Sequence, residues 1–150
     1  MKKIFVLLLF ACSLVQLQAQ ALFDKLSREK DVSTVYVSKA LLSMMPKIGS
    51  ADTDIKSISN KLTQIEIYTT KSGKAIKLIQ AEMKSLYNNR HYERIMQVKE
   101  NGENVIFFAE QQGNNFKDLI MFVESSQEYT VIRLMGTFTP DDIQKVTNKK

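Results

Sequence analysis

The stretch Glu93-Arg-Ile-Met-Gln-Val-Lys-Glu-Asn-Gly-Glu-Asn-Val-Ile-Phe-Phe-Ala-Glu110 decides the fold. Asn101-Gly102 stands between two runs rich in β-branched and aromatic residues. A two-residue type I′ turn needs positive φ at both central positions, which Asn and Gly tolerate best, so the pair predicts a β-hairpin. With the turn centred there, Val98 falls opposite Val105 and Met96 opposite Phe107 on one side, while Ile95, Ile106 and Phe108 fall on the other. Two more runs, Lys117 to Glu124 and Glu128 to Met135, follow Gly113-Asn-Asn and Ser125-Ser-Gln. Consecutive strands joined by short turns pair as antiparallel neighbours, so the last four strands read as a meander. The third splits into Leu119, Met121 and Val123 against Ile120 and Phe122; the fourth into Val131 and Met135 against Ile132 and Leu134. Both sides of the sheet are therefore apolar.

Upstream, Leu22, Phe23 and Leu26 mark a short helix, and Val32-Ser-Thr-Val-Tyr-Val-Ser38 alternates with the period of a strand. Ser38 can cap a helix carrying Leu41, Leu42, Met44, Met45 and Ile48, which Pro46 and Gly49 disturb and end. Thr53 or Asp54 opens another helix through Ile55, Ile58 and Leu62. Ile65 to Thr69 reads as the second strand, and Lys74 to Asn89 as the longest helix, with Ile76, Ile79, Met83, Leu86 and Tyr87 on one face. Thr139-Pro140-Asp141-Asp142 places a cap, a proline at the first helical position and acids at the positive end of a terminal helix. The order α-β-α-α-β-α-β-β-β-β-α predicts a single α+β domain over residues 20–150, its antiparallel C-terminal meander lying within one mixed sheet packed with helices.

The chain has 150 residues and a formal charge of +5. Its start, Met-Lys-Lys followed by Ile4 to Cys12, has the charged and apolar regions of a secretory signal peptide. Ala19-Gln20-Ala21 supplies the small-residue pattern for cleavage after Ala19 or Ala21. Leu9-Phe10-Ala11-Cys12 also matches a lipobox loosely, but Phe10 is bulky for that motif and the apolar run resumes at Leu14, so we favour ordinary cleavage with residues 1–19 as the leader. Loss of Lys2 and Lys3 lowers the formal charge from +5 to +3 and weakens any pull towards polyanions, so no nucleic-acid partner is expected. Ordinary cleavage also removes the single Cys, which excludes disulfides and thiol chemistry. Membrane attachment is expected only if Cys12 is lipidated.

Catalytic patterns are sparse. His91 is the one imidazole and stands between Arg90 and Arg94, which disfavour both its protonated form and a bound cation. Asp141 and Asp142 read as helix-start residues, and Glu103, Glu110, Glu124 and Glu128 stand at strand ends, so a hydrolase built on them is the least supported reading. Ser27-Arg-Glu-Lys30 has no Lys-Thr-Gly partner, and the glycines lie apart instead of forming a phosphate loop. We therefore expect no catalytic residue, no metal and no cofactor. Lys74, Lys77 and Lys84, with Arg90 and Arg94, form a weak candidate anion-binding face that reads more simply as a solvated helix face. The main candidate surface is the apolar sheet side assigned to Ile95, Ile106, Phe108, Ile120, Phe122, Ile132 and Leu134. Either helices cover that side, or part of it stays open to a protein partner, a second copy or an apolar ligand.

The runs Leu22-Phe-Asp-Lys-Leu26, Val32 to Met45 and Tyr129 to Val146, the last containing Gly136-Thr-Phe138, resemble the domain-of-unknown-function family 4252, small exported proteins found mainly in Bacteroidetes. The resemblance implies a periplasmic or extracellular location and no catalytic residues. The expectation is an exported, non-catalytic envelope protein that works through a protein contact surface, with a small apolar ligand or lipid carrier as the alternative.

Overall fold

The structure, a computed structural model, describes residues 17–44, 58 and 60–147. The elements run α1 (Leu17–Arg28), β1 (Val32–Ser38), α2 (Lys39–Met44), β2 (Leu62–Thr70), α3 (Gly73–Tyr87), β3 (Tyr92–Glu100), β4 (Glu103–Gln112), β5 (Asn115–Glu124), β6 (Tyr129–Phe138) and α4 (Pro140–Thr147). The start of the leader, Cys12 and most of the helix predicted from Thr53 lie outside the described residues. Leu62, placed at the end of that helix, instead opens β2. The Lys61 amide donates to the Ile58 carbonyl at 2.9 Å in a turn over residues 60 and 61, and Leu62 beyond it pairs with Gly136 of β6, so strand pairing overrides the helical spacing.

One sheet holds all six strands in the order β1-β2-β6-β5-β4-β3. The fold is α+β, with the predicted meander at its C-terminal end. Each neighbouring pair is antiparallel, so the sheet is not mixed. The meander folds back so that β6 inserts beside β2. This leaves β2 and β3, which run the same way, separated by β6, β5 and β4 and joined by the crossover helix α3. The hairpin turn is as expected: Asn101 has φ 51° and Gly102 φ 83°, the left-handed values a type I′ turn requires. The leucine amide of Leu41 donates to Ser38 Oγ at 3.3 Å, so Ser38 caps α2.

The first sheet face is closed by α1 and α3. Phe23 and Leu26 of α1 and Ile79 and Leu86 of α3 pack on Tyr68, Ile106, Phe108, Ile120, Phe122 and Val131, all buried. Tyr87 and Phe108 meet edge to face with ring centroids 5.0 Å apart. On the second face, Ile58, Leu62, Ala109, Leu119 and Phe138 form a smaller buried cluster, flanked by Leu42 of α2 and Ile143 of α4.

The apolar side assigned from sequence is therefore divided. Ile106, Phe108, Ile120 and Phe122 lie under α1 and α3, whereas Ile95 and Leu134 pack with the second cluster. Two registers cause this. A bulge between Arg94 and Met96 makes Ile95 the extra residue of β3, so Arg94, not Ile95, stands opposite Phe108. Across the β5–β6 connection, Ile120 faces Arg133 and Phe122 faces Val131, which sends Ile132 and Leu134 to the side of Met121 and Leu119. Alternation alone defines the two sides of each strand and not which sides match.

Candidate functional site

The register aligns one row of side chains across every strand of the second face: Val35, Ile67, Ile132, Met121, Phe107 and Met96. All six are apolar. The row above it, Ser33, Thr69, Thr130, Val123, Val105 and Val98, is also free of charge. The cluster around Leu119 and Phe138 covers the other end of this face. Ile67, Ile132, Met121, Phe107, Val105 and Val123 are only partly buried, and Val35 and Val98 are 48% and 42% exposed. A charge-free sheet surface of this kind buries favourably against another apolar surface and offers little to a polar substrate.

The first face hides a feature that sequence reasoning missed. Arg133 of β6 donates from Nε to Asp118 Oδ1 at 3.0 Å and from Nη2 to Asp118 Oδ2 at 2.7 Å. Its Nη1 stands 3.7 Å from Glu66 Oε2. The Tyr92 hydroxyl donates to Asp118 at 3.0 Å, the Tyr68 hydroxyl to Glu66 at 3.1 Å, and the Gln64 amide to Glu66. Phe23 lies over the guanidinium, 4.4 Å from ring centroid to Cζ. Arg133, Asp118 and Glu66 are all buried. Burial, reinforced by Glu66, pushes the Tyr68 hydroxyl well above its ordinary value; burial and the Asp118 charge do the same to Tyr92. Part of the signal was present in the sequence: Glu66 and Arg133 are single charges of opposite sign inside apolar strand runs, whereas Asp118 stands beside Lys117 and does not stand out.

Four of the other candidate acids are also engaged. Asp142 Oδ2 accepts from Lys61 Nζ at 2.6 Å and from the Thr139 amide and hydroxyl, each at 2.8 Å. The Lys61 bond, then the Thr139 amide, hold its carboxyl down at about 2. Glu110 pairs with Lys117 at 3.4 Å, Glu128 with Lys71 at 3.9 Å, and Glu124 accepts from Tyr129 and from Asn104. Glu103 and Asp141 are exposed.

The basic residues do not converge. Lys74 pairs with Glu29, just after α1, at 2.9 Å, Arg94 stacks on Tyr87 at 5.3 Å and bonds Gln97, and Lys77, Lys84 and Arg90 are exposed. His91 is exposed in the turn before β3. Among the described residues no three acidic, His or Cys side chains gather as a metal-holding group, and no helix is long and apolar enough to cross a membrane. The space enclosed between α3 and the sheet, beside Ile79, Met83 and Phe122, measures about 10 Å³, room for a single water.

Residues 24–146 match the family described as Domain of unknown function (DUF4252). This chain is a DUF4252 protein. No curated protein and no solved structure matches it. The DUF4252 span takes in all six strands, so the aligned apolar row and the buried charge network both lie inside the family domain.

Proposed function

We propose that this DUF4252 chain is an exported, non-catalytic envelope module that binds a protein partner through the open part of its second sheet face. The observation that carries the reading is the six-residue apolar row from Val35 to Met96, charge-free and only partly covered. The engagement of its buried carboxylates with Arg133 and Lys61 supports a structural use for them over acid–base work. An apolar ligand carrier would need room on the helix-covered side, where the enclosed space holds about one water. The open row spans all six strands, an extent that suits the apolar surface of another protein better than a small molecule, which gains most from a concave site.

Photo-crosslinking in intact cells tests this. A photoreactive residue at Met121 should yield adducts to another polypeptide, and one at Lys77 on the exposed side of α3 should not. Lipid adducts at Met121, or none, would overturn the reading. Export is tested on the same cells by N-terminal sequencing: a mature chain beginning at Gln20 or Leu22 is expected, and an uncleaved cytoplasmic chain contradicts it.

A further inference from the structure

The two edges of the sheet differ. The β3 edge carries Glu93, Arg94, Lys99 and Glu100, and a bulge between Arg94 and Met96 breaks its register. Charges and bulges on an edge strand oppose the addition of another strand. The β1 edge has neither. Val32-Ser-Thr-Val-Tyr-Val-Ser38 contains no charge, Pro or Gly and keeps an unbroken register of seven pairs with β2. Val35 and Tyr36 at its middle are 48% and 60% exposed. Its outward backbone groups are a ready template for a further strand.

We propose that β1 pairs antiparallel with β1 of a second copy of this chain, about a two-fold axis at Val35, joining two sheets into one. This deepens the interaction reading by naming one partner, but it uses the strand edge and not the open face. Identical strands paired this way set Val35 against Val35, Thr34 against Tyr36, Ser33 against Val37 and Val32 against Ser38, so no like charges meet. The same register brings Asp31, in the turn just before the strand, towards Lys39, the first residue of α2, once at each end. Both residues are exposed. An arbitrary extended peptide has no reason to match that spacing of charges, whereas a second copy matches it by symmetry. The apolar row also continues without a break from Val35 of one copy to Val35 of the other.

The strand spans only about 23 Å, so the contact is small and the dimer should be concentration-dependent. Sedimentation of the purified protein from about 1 µM to 1 mM should show a monomer–dimer equilibrium. Val35→Lys sets two ammonium groups face to face and should weaken the dimer by about tenfold or more, while Val98→Lys on the other edge should not. Asp31→Lys should weaken it too, and Asp31→Lys with Lys39→Asp should restore it. Far-UV circular dichroism verifies that each variant is folded. A monomer at every concentration overturns the proposal, as does a dimer indifferent to Val35→Lys or a double charge swap that fails to rescue. A dimer broken by Met121→Glu but not by Val35→Lys also overturns it, by assigning self-association to the open face.

Discussion

Asp142 shows how much a single side chain carries in this protein. It closes a reciprocal cap with Thr139, whose hydroxyl accepts the Asp142 amide at 3.3 Å, and it also binds Lys61 from the turn just before β2. Thr139→Ala removes one cap partner and should cost about 1 kcal/mol. Asp142→Ala also strips Lys61 of its partner and should cost about 2 kcal/mol; both are read from the shift in urea midpoint. Because the folded-state carboxyl is held at about 2 against an ordinary 3.8, its contribution is present above pH 3.8 and is lost as the pH falls towards 2. Acid titration of Asp142→Ala should therefore show a shallower loss of stability across that window. At the alkaline end the sign reverses. Tyr68, Tyr92 and Tyr129 hold their protons above the ordinary 10.0, so stability is full below that pH and falls as it rises further. Gly136 acts through space alone: a Cβ there would stand 2.2 Å from the Lys61 carbonyl oxygen, a backbone atom that cannot swing aside.

Helix α1 shows how an element is held in place by chemistry that its own sequence does not display. Leu22, Phe23 and Leu26 announce an apolar stripe, and Phe23 and Leu26 are indeed 2% and 0% exposed. The surface they meet is partly charged, because Phe23 covers both the Arg133 guanidinium and the Tyr68 ring, the latter at 5.5 Å. Phe23→Ala should cost about 3–5 kcal/mol and admit water to the ion pairs. Asp118→Ala, which leaves a buried guanidinium short of its main partner, should cost a similar 3–5 kcal/mol, measured by urea unfolding. An ion pair exposed to solvent would lose less than about 1 kcal/mol on the same change. Strand positions were legible throughout the meander because alternation and turn residues agree there. The bulge in β3 was not, since nothing local in Arg94-Ile95-Met96 demands an extra residue; the match to β4 on both sides of it does.

In the whole molecule, one apolar sheet meets two different fates on its two faces. Among the described residues, the first is sealed by α1 and α3, and the second is covered around Leu119, Ala109 and Phe138. A charge placed on each part of the second face separates them. Leu119→Glu buries an unpaired carboxylate and should destabilise by more than about 3 kcal/mol, whereas Met121→Glu, two residues along the same side of β5, should cost about 1 kcal/mol or less. Comparable losses at the two positions would mean that the open row is in fact covered. The sequence by itself determined the α+β class, the four-strand meander with its Asn101-Gly102 turn, and the capped terminal helix, because these rest on local dihedral preference and short-range periodicity. The tertiary structure alone decided that β6 lies beside β2, that Glu66, Asp118 and Arg133 share one buried site, and that the open row runs from Val35 to Met96. Each depends on register between strands distant in the chain, and a shift of one residue sends every side chain to the opposite face.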